Sequence, residues 1–398
     1  MSTKELAGRL QHFGASATGT IHNKVRELER VGQTVLSLNV GEPDFDTPDV
    51  AKEAGIAAIR EGFTKYTGTN GCAELREAIA EKLFRDNGLT YDISEICVCT
   101  GAKQAIFEAV MAIVNEGDEV LIPVPSWVSY SAMVTIAGGV PVFVPSKEDC
   151  SLDLSKIEAA ITPRTRAIII CTPNNPSGAV YSEESLRALA DLAVKHDFFV
   201  IADEIYEKLI YDGFRHVSIA SFSREMWERT ITVNGVSKAY AMTGWRIGYA
   251  AARKDIIKAM TKLQGQITSG TGSISQKAAV GALTGAAKET EAMVRVFKER
   301  RDLVCERISR IPGVSFVRPH GAFYVLLDVS RYLGKRSGDT VIEDAGKLCE
   351  YLLDTARVAV VPGDSFGVKG CIRIAYANSA EILTRALDAM EQALALLR

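Results

Sequence analysis

One pattern recurs along the middle of the chain and leaves few folds open to it. A short apolar run is followed by a polar or glycine-bearing loop, and then by apolar residues at helical spacing. Ile96–Cys99 leads through Thr100-Gly-Ala-Lys-Gln104 into a helix carrying Ile106, Val110 and Val114. Val120–Val124 ends at Pro125-Ser-Trp-Val-Ser-Tyr130; Val140–Val144 continues the alternation, and Ser155–Ile161 makes a short helix. Ala167–Cys171 runs into Thr172-Pro-Asn-Asn-Pro-Ser-Gly178, after which Ser182 caps a helix bearing Leu186, Leu189, Leu192 and Ala193. Phe198–Ala202 ends on Asp203-Glu-Ile-Tyr206, and Ile231–Val233 ends at Asn234-Gly235. Runs that are apolar throughout belong to strands buried on both faces. Strand–helix repeats of this kind give an α/β fold, a mostly parallel sheet with helices on both faces. Ligands on such sheets gather at the carboxyl ends of the strands.

The residues that could carry chemistry fall at such strand ends. Gly101 opens a helix, where unpaired N–H groups at the positive end of the dipole make a seat for a phosphate. Many such turns bind nothing. Trp127 suits a flat ring, and equally a place in the core. Asn175, held between prolines, is aimed at a ligand or bonds its own backbone in a tight turn. Asp203 meets a buried cation or caps the next helix, and Tyr206 follows three residues later. Lys238 sits just past a strand, with Arg246 between Gly244 and Gly248, small residues that let an anion approach the main chain. A lysine whose amine loses its proton through burial or a neighbouring cation attacks carbonyls. Taken alone, Lys238 reads as a surface residue. Gly101, Trp127, Asn175, Asp203 and Lys238 together describe a ligand with a phosphate, a flat ring, a cationic ring nitrogen and a carbonyl. Pyridoxal phosphate has all four.

The stretch Gly235-Val-Ser-Lys-Ala-Tyr-Ala-Met-Thr-Gly-Trp-Arg-Ile-Gly248 resembles the pyridoxal-phosphate attachment pattern of class I aminotransferases. GEPDFDTP, KYTGTNG with AELREAIA, TGAKQAI, PSWVSY, TPNNPSGAVYS and ADEIYEKLIY resemble the same family, in the family's order. They are most similar to its bacterial aspartate-aminotransferase-like branch, and the resemblance runs from about residue 13 to the carboxyl terminus. It implies fold type I and a ping-pong exchange of an amino group between an L-amino acid and a 2-oxo acid. Lys238 would hold the cofactor as a Schiff base and move the proton. Asp203 would pair with the ring nitrogen, Tyr206 and Asn175 with the ring's phenolic oxygen, and Trp127 would stack on the ring. Gly101, Ala102, Lys103, Ser237 and Arg246 would hold the phosphate. Tyr66 would reach the phosphate of the other subunit, making a homodimer with shared active sites. Arg373, in the apolar run Cys371–Ala375, would clamp the substrate α-carboxylate, with a main-chain contact from Gly41 and further contacts from Trp127 and Asn175.

At 398 residues two domains are expected. Residues 46–290 read as a large cofactor-binding domain and 291–398 as a smaller α+β domain that residues 1–45 join. A serine- and glycine-rich loop, Ser269–Ser275, precedes a mixed-charge helix from about Thr290 to Ile311. Strands are expected at Val35–Val40, Val314–Val317, Ala322–Leu327, Val358–Val361 and Cys371–Ala375, and helices at Ile21–Val31, Val50–Arg60 and Ser379–Leu397. A net charge of −3 gives no reason to expect nucleic acid or a membrane surface, and no run approaches a transmembrane helix or signal peptide. Eight cysteines are scattered. Cys97 and Cys99 form a C-x-C in an apolar strand with no second pair, so all eight read as reduced thiols with no metal. A soluble cytoplasmic protein follows.

The substrate is less constrained. Relatives that use aspartate or prephenate carry a basic residue just before the Ser-Ala-Thr turn, where Gly14 precedes Ala15-Ser-Ala-Thr18, and Gln266–Ser275 contains no basic residue. Aspartate with 2-oxoglutarate is the first expectation, with Lys103 or Arg26 as possible cations for its distal carboxylate. Alanine or broad specificity, including aromatic and prephenate-type donors, is the alternative. A carbon–sulfur β-lyase or cyclopropane-carboxylate synthase on the same fold, and a regulator built on an aminotransferase domain, are the more distant readings. The regulator needs an added DNA-binding module for which about forty residues leave no room.

Overall fold

The computed structural model describes residues 8–11, 13–14 and 17–398. Ala15 and Ser16 of the turn noted above lie outside that set. Seven strands form the main sheet, in the spatial order Ile96–Thr100, Ile247–Ala251, Thr230–Gly235, Phe199–Asp203, Thr165–Cys171, Glu119–Val124, Val140–Pro145. All neighbours from Thr230–Gly235 to Val140–Pro145 are parallel. The expected α/β fold is the observed one.

Ile247–Ala251 is antiparallel to both of its neighbours. It is a strand that the apolar-run pattern does not single out, because glycine interrupts it at position 248. The glycine is needed there: a Cβ would lie 2.1 Å from the Ala102 nitrogen, so only glycine lets the next helix start against this strand. Its direction has a second consequence. Ile247 pairs with Thr100, so this strand begins at the edge where its two antiparallel neighbours end, and Arg246 stands at that edge too.

Consecutive strand residues enter opposite cores. Ile169 and Ile201 pack with Ile106, Val110 and Ile257, whereas Ile168, Ile170 and Val200 pack with Leu186 and Leu189 on the other face. Each fully buried aliphatic side chain contributes roughly 1.5–3 kcal/mol, which is why both faces hold helices.

Four short strands make a second, antiparallel sheet in the order Val361–Pro362, Cys371–Ala375, Tyr324–Asp328, Ser315–Phe316. Leu36–Ser37 pairs in parallel with Val358–Ala359, and the Ala375 amide donates to Leu38 O at 2.7 Å. The amino-terminal segment is thereby tied to the carboxyl-terminal one. The serine- and glycine-rich stretch is shorter than expected. After Ser269 and Gly270, both at positive φ, a helix begins at Ser273 and runs to Gly285. The mixed-charge helix spans Ala287–Ile308. Among the described residues no helix is long and apolar enough to cross a membrane.

Candidate active site

A cavity of about 450 Å³ opens at the carboxyl edge of the main sheet and reaches across to the second sheet. Gly41, Ala102, Lys103, Trp127, Asn175, Asp203, Tyr206, Ser237, Lys238, Arg246 and Arg373 all line it. Gly101 stands directly behind, as the residue that starts the helix Ala102–Ile113. Tyr66 is elsewhere, 96% exposed, and takes no part in the cavity of its own chain.

Lys238 emerges three residues beyond the strand Thr230–Gly235, where the Asn234 side chain accepts from the Gly235 amide at 2.7 Å and shapes the turn. Its Nζ donates to Gly41 O at 2.5 Å, and no carboxylate shares it. Burial pushes the amine down to about 8; Arg246 and Arg373 push the same way, while Glu42 and Asp203 oppose them. The neutral, nucleophilic amine is therefore accessible near neutral pH.

Asp203 ends the strand Phe199–Asp203 with its carboxyl buried. Oδ2 accepts from the Tyr130 hydroxyl at 2.7 Å and Oδ1 from the Ile205 amide at 3.2 Å. Burial raises its pKa to about 6, because these two donors do not replace a cation. Tyr130 is a site residue that the sequence reading missed. The available signal was its place three residues after Trp127, the spacing of one helical turn; the two rings meet edge to face at 5.4 Å. Tyr206 shares a hydrogen bond of 2.9 Å with Tyr324, a second missed residue, which arrives from the other sheet.

Two places in the cavity are prepared for anions. Gly101 has φ 83° and no side chain caps the helix, so the Ala102 and Lys103 amides are left without acceptors among the described residues. Arg246 lies against this turn; a Cβ on Gly101 would sit 2.3 Å from its Nη2. The second place is Arg373, 2% exposed. Nη1 donates to Asn175 Oδ1 at 3.2 Å and Nη2 to Asn39 O at 2.7 Å, while Nε and both amide atoms of Asn39 have no partner. A buried guanidinium without a carboxylate is costly and awaits an anion.

The two asparagines of the Pro-Asn-Asn-Pro turn divide the readings between them. Asn174 Oδ1 accepts from the Ser177 amide at 3.1 Å and its hydroxyl at 2.7 Å, so it serves the turn. Asn175 faces the cavity. Lys103 holds its ammonium 4.8 Å over the Trp127 ring, at the cavity wall. Burial, then Arg246, lowers its pKa.

A nucleophilic amine, a buried carboxyl and two anion seats in one cavity define an enzyme site for small charged molecules. The family model "Aminotransferase class I and II" matches residues 33–390. The bifunctional aspartate aminotransferase and glutamate/aspartate-prephenate aminotransferase of Petunia hybrida is 47% identical over 396 residues, covering 98% of this chain and 82% of that one. The aspartate aminotransferase of Geobacillus stearothermophilus is 44% identical, with 96% and 97% covered. The solved structure of Thermus thermophilus aspartate aminotransferase with maleate superposes with a TM-score of 0.92 at 44% identity, covering 98% of this chain and all of that one (100%). The chain belongs to the class I and II aminotransferases, and it is a transaminase.

Proposed function

We propose that this aminotransferase carries pyridoxal 5'-phosphate on Lys238 and moves an amino group between aspartate and 2-oxoglutarate. The observation that carries the reading is a buried, cation-flanked amine, Lys238, in one cavity with an unpaired carboxyl and an unpaired guanidinium. The residues fit the cofactor. The uncapped helix start at Ala102 and Lys103, with Ser237 and Arg246, would receive its phosphate. Asp203 would meet the ring nitrogen, Trp127 the ring face, and Tyr206 and Asn175 the phenolic oxygen. When bound, the cofactor supplies an aldehyde that condenses with amines and a ring that withdraws electrons from the amino-acid Cα.

The chain's own groups do the rest. Arg373 holds the α-carboxylate in a charge-assisted pair and so fixes which bond of Cα faces the lysine. Lys238 Nζ takes the Cα proton, a task matched by an amine brought down to about 8. Asp203 keeps a proton on the ring nitrogen. Closure of 291–398 with the amino-terminal segment 1–45 onto 46–290 excludes water. The functional unit is a cytoplasmic homodimer in which exposed Tyr66 completes the partner's phosphate seat. Eight free cysteines accord with a reducing compartment.

Lys103 supports an acidic donor. Its ammonium borders the cavity without a carboxylate partner among the described residues, as a distal carboxylate requires. The relatives from Petunia hybrida and Geobacillus stearothermophilus are aspartate aminotransferases, and the Thermus thermophilus enzyme is solved with the dicarboxylate maleate; both point the same way. With 2-oxoglutarate as acceptor, kcat/KM for aspartate should exceed that for alanine by at least about tenfold, roughly 1.4 kcal/mol in transition-state binding. A ratio favouring alanine rejects the assignment.

A further inference from the structure

Among the described residues two groups of metal-ligating side chains lie outside the cavity, and they differ in charge. Glu204, Glu207 and His216 already enclose a cation, since Lys82 pairs with Glu207. Cys97, Cys99 and Glu108 enclose none. All three are fully buried at 0% exposure, and among the described residues the only side chains bonded to the Glu108 carboxyl are the Gln104 amide and the Cys99 thiol. Three acidic groups are thus held together with no counter-charge. Burial pushes Glu108 up to about 7, as expected of a carboxyl in that setting.

Their spacing is specific. Cys97 and Cys99 stand two apart on the strand Ile96–Thr100, so both thiols leave the same face. Glu108 comes from the helix Ala102–Ile113 that packs on that face. The two Sγ atoms are 3.9 Å apart, and Cys99 Sγ is 3.5 Å from Glu108 Oε2. A tetrahedral zinc ion with ordinary bond lengths sets two sulfurs about 3.8 Å apart, and sulfur and carboxylate oxygen about 3.5 Å apart. Gln264, also fully buried, has Nε2 at 3.8 Å from Cys97 Sγ and an Oε1 with no hydrogen-bond partner. Half-buried Gln104 donates to Glu108 Oε1 at 2.7 Å.

We propose that Cys97, Cys99 and Glu108 form a binding site for a soft divalent cation of the zinc class. Each sulfur bonds the metal as thiolate and its proton goes to solvent; the Glu108 carboxylate is the third donor, while the Gln264 amide nitrogen, which also donates to Val98 O at 2.8 Å, faces the Cys97 sulfur. The C-x-C spacing lacks a second cysteine pair, and the further donor comes from the helix Ala102–Ile113 instead. The ion would clamp strand to helix across the Gly101 turn, which delivers Ala102 and Lys103 to the active cavity.

Cadmium is the probe, since thiolate-to-cadmium charge transfer absorbs in the ultraviolet. The full-length, cofactor-loaded protein is reduced, stripped with chelator, and titrated with Cd²⁺, then with Zn²⁺ in competition. We expect one ion per chain, displaced by Zn²⁺, with the band lost in Cys97→Ala/Cys99→Ala even though Cys72, Cys150 and Cys371 remain. Glu108→Gln keeps both thiols and the side-chain volume, and should weaken binding by at least about tenfold, since losing even an outer-shell partner costs that much. No band in the wild type, an unchanged band in the double variant, or unchanged affinity in Glu108→Gln overturns the proposal. The last decides the matter if the double variant does not fold.

Discussion

Asp203 and Glu204 are adjacent at one strand end and open onto two buried polar regions built on opposite terms. On the Glu204 side the charges are balanced. Lys82 pairs with Glu207, and Asn87 donates to Glu207 at 2.7 Å and to Glu204 at 3.2 Å. Ser218 donates to Glu204 at 2.7 Å, and His216 Nε2 lies 3.1 Å from the same carboxylate. Burial works against a charged imidazole there, yet Glu204 and Glu207 outweigh it and raise the His216 pKa, while Lys82 supplies a cation to Glu207. On the Asp203 side no opposite charges are in direct contact among the described residues. Lys238, Asp203 and Arg373 are each bonded only to neutral groups. Buried charge is completed where the protein only has to be stable, and left incomplete where something else must bind.

Substitutions should therefore separate stability from function. The largest effect belongs to Lys82→Met, which strands Glu207 in the interior and should cost about 3–5 kcal/mol in urea unfolding. The folded fraction should keep its KM for the amino acid; a loss under about 1 kcal/mol would undo the contrast. Next comes Arg373→Leu. It should lower kcat/KM for every amino-acid donor by about 30- to 1,000-fold, roughly 2–4 kcal/mol, and leave unfolding unchanged or improved. Destabilisation as large as that of Lys82→Met would show that Arg373 is a structural pair after all.

The smallest effect is a matter of pH. In cofactor-free protein Asp203 holds its proton up to about 6, against 3.8 ordinarily. The folded state binds that proton more tightly, so the carboxyl favours folding below pH 3.8 and loses that contribution as pH rises through 6. Asp203→Asn has no such loss. Its stability relative to wild type should rise between pH 4 and 8, by roughly 2–3 kcal/mol. A flat difference would mean that a cation already neutralises Asp203.

The inner strands of the parallel sheet were legible because burial on both faces writes an uninterrupted apolar run; the edge strand Val140–Pro145 carries such a run although Val140 and Phe143 are exposed. Cys371–Ala375 matches to the residue, and Ser182 caps its helix as expected, accepting from the Ser185 amide. Ile247–Ala251 was not legible, because its glycine serves a helix distant in sequence. Residues that reach the cavity by a strand-end loop were readable from local pattern, whereas Tyr130 and Tyr324 reach it by packing. Tyr130 is marked only by its spacing from Trp127, and Tyr324 meets Tyr206 only because two sheets close on one space. The unpaired state of Arg373 belongs to the same class, since partners can be counted only in three dimensions.

The central claim is that Lys238 is the amine that holds the cofactor. Borohydride reduction of the pyridoxal-phosphate-loaded protein, followed by peptide mass mapping, tests it directly. One phosphopyridoxyl group should appear on the Lys238 peptide, and Lys238→Ala should carry none and lose the visible cofactor absorption. Label on Lys103, or an unchanged label in Lys238→Ala, would contradict the account.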